Sequence, residues 1–229
     1  MREIGDLNHT ARLRTELADL SSLTEVRALA ERVMAAHARL DVLVNNAGIG
    51  FLRQRALSRD GHELILAVNY LAPFLLTELL LPLLESSAPA RIVNVASAGQ
   101  QSIDFDNLML ERDYDGVRAY RQSKLAMVTN TFDLAQRLDP ERVTVNTLHP
   151  ATFMPTKMVL EAGGQPMSSL EEGTAATVRL IADAQLDGIS GRYFDRQQET
   201  RADPQAYDSR ARAELRRMTA ELVGLPAPT

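Results

Sequence analysis

The sequence predicts an α/β protein: one domain over residues 1–229, built as a doubly wound parallel sheet with helices packed on it. Three observations lead there. Short apolar runs, Asp41-Val-Leu-Val-Asn45, Arg91-Ile-Val-Asn-Val-Ala96 and Val143-Thr-Val-Asn-Thr-Leu148, read as strands, the first buried on both faces. Between them lie longer stretches whose apolar residues recur at helical spacing. Strands separated by helices of this length imply parallel βαβ units. A chain of 229 residues can bury a full core, and one domain is the natural count.

The helices follow in order. Ser22-x-x-Glu25 has the form of a capping box, in which each side chain satisfies an orphan amide, and Val26, Leu29, Ala30, Val33 and Met34 continue at helical spacing. A long helical region runs from about Gly61 to Leu84, bent near Pro73. After a loop rich in Asp and Gly, a helix is expected from about Val117 to Leu138. Ser169-x-x-Glu172 caps another through about Ile181, and Gly191-Arg-Tyr-Phe194 reads as a last short strand. Asp203-Pro204 then opens a C-terminal helix, Asp as N-cap and Pro at the first helical position.

Composition narrows the function classes. A formal charge of −5 gives no electrostatic reason to expect a nucleic-acid or anionic-membrane partner. Zero cysteines exclude disulfides, iron–sulfur clusters and thiol catalysis, and fit a reducing cytoplasm. The most apolar stretch, Leu71 to Leu84, is interrupted by Pro73, Thr77, Glu78 and Pro82, so a buried helix is expected rather than a membrane span. The first residues are charged and show no secretory signal. His9, His37, His62 and His149 lack metal-ligand spacing, and no metal is expected.

The chemistry concentrates on Tyr120-x-x-x-Lys124. Four residues is about one helical turn, so both side chains share a face. Tyrosine is a poor acid or base at neutral pH, but a nearby ammonium favours phenolate and lowers its pKa. Five tyrosines and two lysines in 229 positions would by chance give about 0.04 such pairs (5 × 2/229), so the pairing is unlike coincidence. Ser97 follows a strand at its carboxyl end, where open α/β sheets place their sites, and its hydroxyl could hold a carbonyl or alkoxide oxygen. Asn69 lies within an apolar helical stretch; buried there, its side chain needs a partner, for which a water leading to Lys124 is one candidate. Asn45-Asn46-Ala47-Gly48 ends a strand at the same edge, where Ala47 and Gly48 permit a flat ligand to approach and Asn45 can tie neighbouring strands.

Asn45-Asn-Ala-Gly48, Asn69, Ser97, Tyr120-Arg-Gln-Ser-Lys124 and His149-Pro150, in that order, resemble the short-chain dehydrogenase/reductase family, from about Leu17 to Leu222. The resemblance implies a Rossmann-type fold and reversible hydride transfer between NAD or NADP and an alcohol/carbonyl pair. It makes Tyr120 the acid/base, Ser97 the group that orients the reacting oxygen, Lys124 the residue that lowers the tyrosine pKa and binds the nicotinamide ribose, and Asn69 the holder of a relay water. Asp19 and Leu20 take the place of the adenine contact. Asn45, Ala47, Gly48, Pro150, Ala151 and Thr156 fall at further cofactor positions. Asp104-Phe-Asp-Asn-Leu108, Gly188-Ile-Ser-Gly-Arg-Tyr-Phe194 and Ala206-Tyr-Asp208 resemble the retinol-dehydrogenase-like branch. Family members often dimerise through the helix that carries the tyrosine; nothing local to this sequence decides that, and a homo-oligomer stays open.

The pattern also departs from the family. No glycine-rich dinucleotide turn precedes Asn45. By the family's layout, Glu3 to Asn8 look like the tail of a helix and Arg14 to Asp19 like the third strand, so the first two strands are expected to be absent and Asp41–Asn45 to present an apolar edge. Ala151 replaces the usual glycine after His-Pro, and Phe153, Met154, Met158 and Val159 make the following lid apolar, which favours a lipophilic small-molecule substrate. Two functions therefore compete: an NAD(P)-dependent oxidoreductase, and a catalytically incompetent relative that binds another chain. A sugar epimerase shares Tyr-x-x-x-Lys, but the chain after Tyr120 is short for its substrate domain.

Overall fold

The computed structural model describes residues 12–227. Its first helix, α1 (Leu23–Ala36), leads to strand β1 (Val42–Asn45). Helix α2 (Leu64–Ser86) precedes β2 (Ala90–Val95), and α3 (Gly116–Arg137) precedes β3 (Val143–His149). A short α4 (Lys157–Glu161) and α5 (Leu170–Ala182) lead to the hairpin β4 (Tyr193–Asp195) and β5 (Gln198–Thr200), and α6 (Ser209–Leu222) ends the order. The sheet runs β1-β2-β3-β4-β5, parallel from β1 to β4, with β5 antiparallel. Every residue of β3 is buried, as a central strand covered on both faces requires. The expected doubly wound α/β fold is present.

The core explains the layers. On one face, Leu80 and Leu84 of α2 and Leu134 of α3 pack with Ile92 and Val145. On the other, Ala176 and Leu180 of α5 cover Val93, Val95, Leu148 and Phe194. Outside the first layer, α1 lays Val26 and Ala30 against α2, and Leu215 of α6, with Val223 just after it, packs against α2 and α3. Tyr70 of α2 and Thr219 of α6, both fully buried, satisfy each other at 2.8 Å between hydroxyl oxygens.

Several local expectations are corrected. Arg14–Asp19 is irregular, because among the described residues no neighbouring strand supplies ladder partners. Glu3 to Asn8 lies outside the described residues. Ser22 caps α1, but Glu25 does not close the box: its carboxylate accepts from the Asp19 amide at 2.7 Å instead. The capping box at Ser169 and Glu172 is complete. The C-terminal helix starts later than Asp203-Pro204 implies. Asp203 caps only the 3₁₀ turn Pro204–Tyr207, and a second aspartate, Asp208, caps α6.

Helix α2 begins at Leu64 because the buried Glu63 carboxylate accepts from the Ile65 and Leu66 amides at 3.1 and 2.6 Å. Just before Pro73 its early part widens into a π-helical segment, Ala67–Leu71, closed by the Ala72 amide donating to the Ala67 carbonyl. Pro73 has no N–H for the Asn69 carbonyl four residues back, and a wide turn relieves the ring's clash with that carbonyl. At 23 residues α2 exceeds the expected apolar stretch and is long and apolar enough to cross a membrane, yet 67% of its most apolar window is buried inside this fold. Among the described residues β1 lies at the sheet edge and pairs only with β2.

Candidate active site

Tyr120, Lys124, Ser97 and Asn69 meet on the α2/α3 side of the sheet, at the carboxyl ends of β1 and β2. Asp115 starts α3 by accepting from the Arg118 amide at 2.7 Å, which places Tyr120 in its second turn and Lys124 in its third. Gly116 at the first helical position is obligatory: a Cβ there would lie 1.9 Å from the Leu52 carbonyl oxygen. That close approach carries the loop after β1 across the start of α3, and the Phe51 ring meets Tyr120 edge-on, centroids 6.4 Å apart.

Lys124 is buried, and its Nζ donates to the Val95 carbonyl at the end of β2, 3.1 Å away. Burial pushes its pKa down from 10.5 to about 8. The ammonium lies 5.7 Å from the Tyr120 ring centroid. The expectation that Lys124 brings the tyrosine pKa down is not met in this arrangement. Burial pushes the phenol above its ordinary value, and only the Ser97 hydroxyl beside it acts in the opposite direction. Ser97 follows β2 by two residues, and its Oγ accepts from the Gly99 amide at 3.0 Å, which leaves the hydroxyl proton to donate.

Asn69 sits in the π segment, 1% exposed. Its Oδ1 accepts from the Ile49 amide at 2.8 Å, and its Nδ2 donates to the Ile49 carbonyl at 3.1 Å and to Ser123 Oγ at 3.2 Å. The side chain is thus partnered by protein on both its oxygen and its nitrogen. Ser123, in turn, donates to the Tyr120 carbonyl at 2.7 Å, so one hydroxyl links the π segment to the catalytic turn. Sequence reasoning missed Ser123, although its place three residues after Tyr120 sets it on the same helical face.

Gly48 is wedged against this cluster. A Cβ on it would stand 3.1 Å from Asn69 Oδ1 and 3.5 Å from Lys124 Nζ. Gly48→Ala is therefore expected to loosen the Asn69–Ile49 tie, costing about 1 kcal/mol of stability by overpacking. Turnover should fall more than the modest drop in melting temperature suggests, since Asn69 and Lys124 both shift; urea unfolding beside steady-state rates checks it. Asn45 is buried and donates to Thr77 Oγ1 at 3.0 Å and Asn94 Oδ1 at 2.8 Å, binding β1 to β2 and α2. Asn94 passes the chain on to Thr131 of α3 at 2.9 Å.

The other sequence-predicted positions are more dispersed. Ala47 is exposed beside Gly48, and Pro150 and Ala151 are buried immediately after β3. Thr156 caps α4 through its backbone and makes no side-chain cap bond. Asp19 accepts from the Ser21 amide and hydroxyl at 2.9 and 2.7 Å and pairs with Arg59 at 3.2 Å, while Leu20 packs on the core beside α1. The lid bears Phe153 at a left-handed φ of 45°, half exposed, and Met154, whose sulfur sits where a side chain on Gly173 would be. Met158 closes on Gly50: a Cβ there would be 3.0 Å from its Cγ.

A parallel sheet with a Ser–Tyr–Lys cluster beyond its strand ends and a glycine pressed against the lysine defines a class, the doubly wound α/β proteins with polar side chains gathered at the carboxyl ends of their strands. The family model described as short chain dehydrogenase matches residues 2–165, and the chain belongs to that family. Retinol dehydrogenase 14 of Homo sapiens is 38% identical over 221 residues, covering 90% of this chain and 66% of the relative, in keeping with the expected branch. The chain spans about two thirds of the length of that curated relative. Among solved structures, a protein of Mycobacterium paratuberculosis superposes with a TM-score of 0.75 at 26% identity, covering all of this chain and 82% of that one. The Pseudomonas aeruginosa RhlG/NADP active-site complex gives 0.61 at 29%, covering 78% and 73%.

Proposed function

We propose that the protein is an NAD(P)-dependent oxidoreductase that interconverts an alcohol and a carbonyl on a lipophilic small molecule. The observation that carries this reading is the convergence of Ser97, Tyr120 and Lys124 at the carboxyl edge of the sheet. The name of its 38%-identical relative, a retinol dehydrogenase, supports both the reaction and an apolar substrate. The alternative, a non-catalytic binding protein, draws no support from these relatives.

The residues fit the nicotinamide end of such a cofactor. Lys124 spends one of its three N–H donors on Val95, and among the described residues no second protein acceptor takes the others. They can serve a ribose diol, and Gly48 keeps the adjoining surface flat. When bound, the nicotinamide supplies or accepts the hydride. Tyr120, held protonated at neutral pH by burial, gives its phenolic proton to the carbonyl oxygen during reduction. Ser97 donates to the same oxygen and holds it beside the phenol. In the oxidative direction Tyr120 must first lose its proton, and the Ser97 hydroxyl beside it favours that loss. Exposed Phe51 stands edge-on to the Tyr120 ring, and Met158 packs against Gly50 next to it in the chain, apolar surface suited to an alkyl or polyene substrate.

The sign of the pH dependence follows. With the phenol above its ordinary pKa, reduction is expected to hold level through neutral pH and to fall above about pH 8, as Lys124 becomes neutral. Oxidation should instead climb with pH from 7, because the phenolate fraction rises. Rates followed by nicotinamide absorbance across pH 6–10 check both limbs. For the function itself, the protein is assayed with NADH and NADPH on retinal, decanal and propanal. Turnover of the long aldehydes with a clear preference over propanal is expected; no nicotinamide oxidation with any of them would refute the reading.

A further inference from the structure

The Ser97 side chain is tied to the Gly99 amide and lies beside the Tyr120 phenol, but neither contact fixes the peptide from which the hydroxyl projects. Its backbone supplies the answer. The Ser97 carbonyl accepts from the Tyr193 hydroxyl at 3.1 Å and from Gln100 Nε2 at 2.9 Å. Tyr193 is the first residue of β4, 4% exposed, and stands beside Thr147 in the β3–β4 pairing. Burial, reinforced by Asp195, pushes its phenol well above the ordinary range, so it remains a donor at every working pH. Gln100 is itself held, its Oε1 accepting from the Asp203 amide at 2.9 Å, where the chain enters the turn before α6.

We propose that Tyr193 and Gln100 form a two-armed clamp on the Ser97 carbonyl and are positioning residues that set the Ser97 hydroxyl at the reacting oxygen. This rests on the assignment of Ser97 above. Neither side chain needs to touch substrate. Between them they connect three separate segments, β4, the loop after β2 and the Asp203 turn, to one peptide unit. A peptide unit held from two directions cannot rotate, and Ser97 Oγ, already tied to the Gly99 amide, is left one productive orientation.

Tyr193→Phe removes the hydroxyl and keeps the ring's packing. It is expected to lower kcat about 10-fold, with nicotinamide affinity within about 2-fold of wild type. Gln100→Ala should do the same and Gln100→Glu should not restore it, since a carboxylate cannot donate. The decisive readout is a double-mutant cycle: in a Ser97→Ala background Tyr193→Phe should have little further effect, because the group it positions is gone. A merely structural role would leave its effect undiminished there and would overturn the proposal. A second measurement does not depend on turnover. Amide exchange at Gly99, protected by Ser97 Oγ, should quicken about 10-fold in Tyr193→Phe while exchange in β2 and β3 stays constant. Unchanged Gly99 exchange would overturn the clamp. If wild type reduces no carbonyl but Gly99 responds as expected, the clamp stands and the functional reading fails.

Discussion

Tyr120→Phe is expected to lower turnover by about 10³-fold while leaving the fold intact, because it deletes the proton donor and nothing else. The phenyl ring retains the edge-on contact with Phe51, and the Tyr120 carbonyl still accepts from Ser123. Nicotinamide affinity, read by fluorescence titration, should stay within about 2-fold, since Lys124 keeps its bond to Val95. Melting temperature should move by no more than a degree or two. Retained turnover would remove Tyr120 from the chemistry. A large loss of affinity would show instead that the phenol serves binding.

Lys124→Met should act in two opposite directions. The buried ammonium is held about 2.5 pKa units below its ordinary 10.5, which corresponds to about 3 kcal/mol of destabilisation at neutral pH. Below about pH 8 folded and unfolded chains both carry the proton, so this cost is constant. Between about 8 and 10.5 the unfolded chain binds more protons than the folded one, so wild-type stability rises with pH and the cost fades. Methionine fills similar space without charge. The variant is expected to be more stable than wild type by about 2 kcal/mol at pH 7, allowing for the lost bond to Val95, with the gain shrinking toward pH 10.5. Turnover should be lost at every pH. Urea unfolding at pH 7 and pH 10 checks the sign, and a variant less stable than wild type at pH 7 would contradict it. A more stable, inactive variant would show a protein that tolerates instability at a site because function needs the charge there.

Much of this site could be read before the fold was known. The one-turn spacing of Tyr120 and Lys124 requires only helical geometry, and the apolar strand ends set Ser97 and Gly48 at one edge. What could not be read depended on groups far apart in sequence. Tyr193 and Ser97 are 96 positions apart, and their bond joins a hydroxyl to a carbonyl that every residue possesses. Burial of Lys124 and Tyr120 was likewise invisible: their one-turn spacing says that the two groups are near, and nothing of the desolvation that moves both pKa values. The fold shows the same division. Ser169 and Glu172 act within one helical turn and were legible, whereas Glu25 abandons its local role for Asp19 and Arg59. Strand β5, Gln198–Thr200, is exposed throughout and carries no apolar alternation by which it could have been found.

Helix α2 has a consequence for how the chain reaches this state. During synthesis Leu64–Ser86 emerges well before Gly116–Arg137, the helix that covers it alongside the sheet, and α6 follows later still. Throughout that interval, among the described residues, a segment with the hydropathy of a membrane span has only α1, β1 and β2 to pack against. The order of assembly, rather than final stability, then governs yield. Lesions at the α2–α3 seam should surface as aggregation of nascent chains before they surface as slower catalysis.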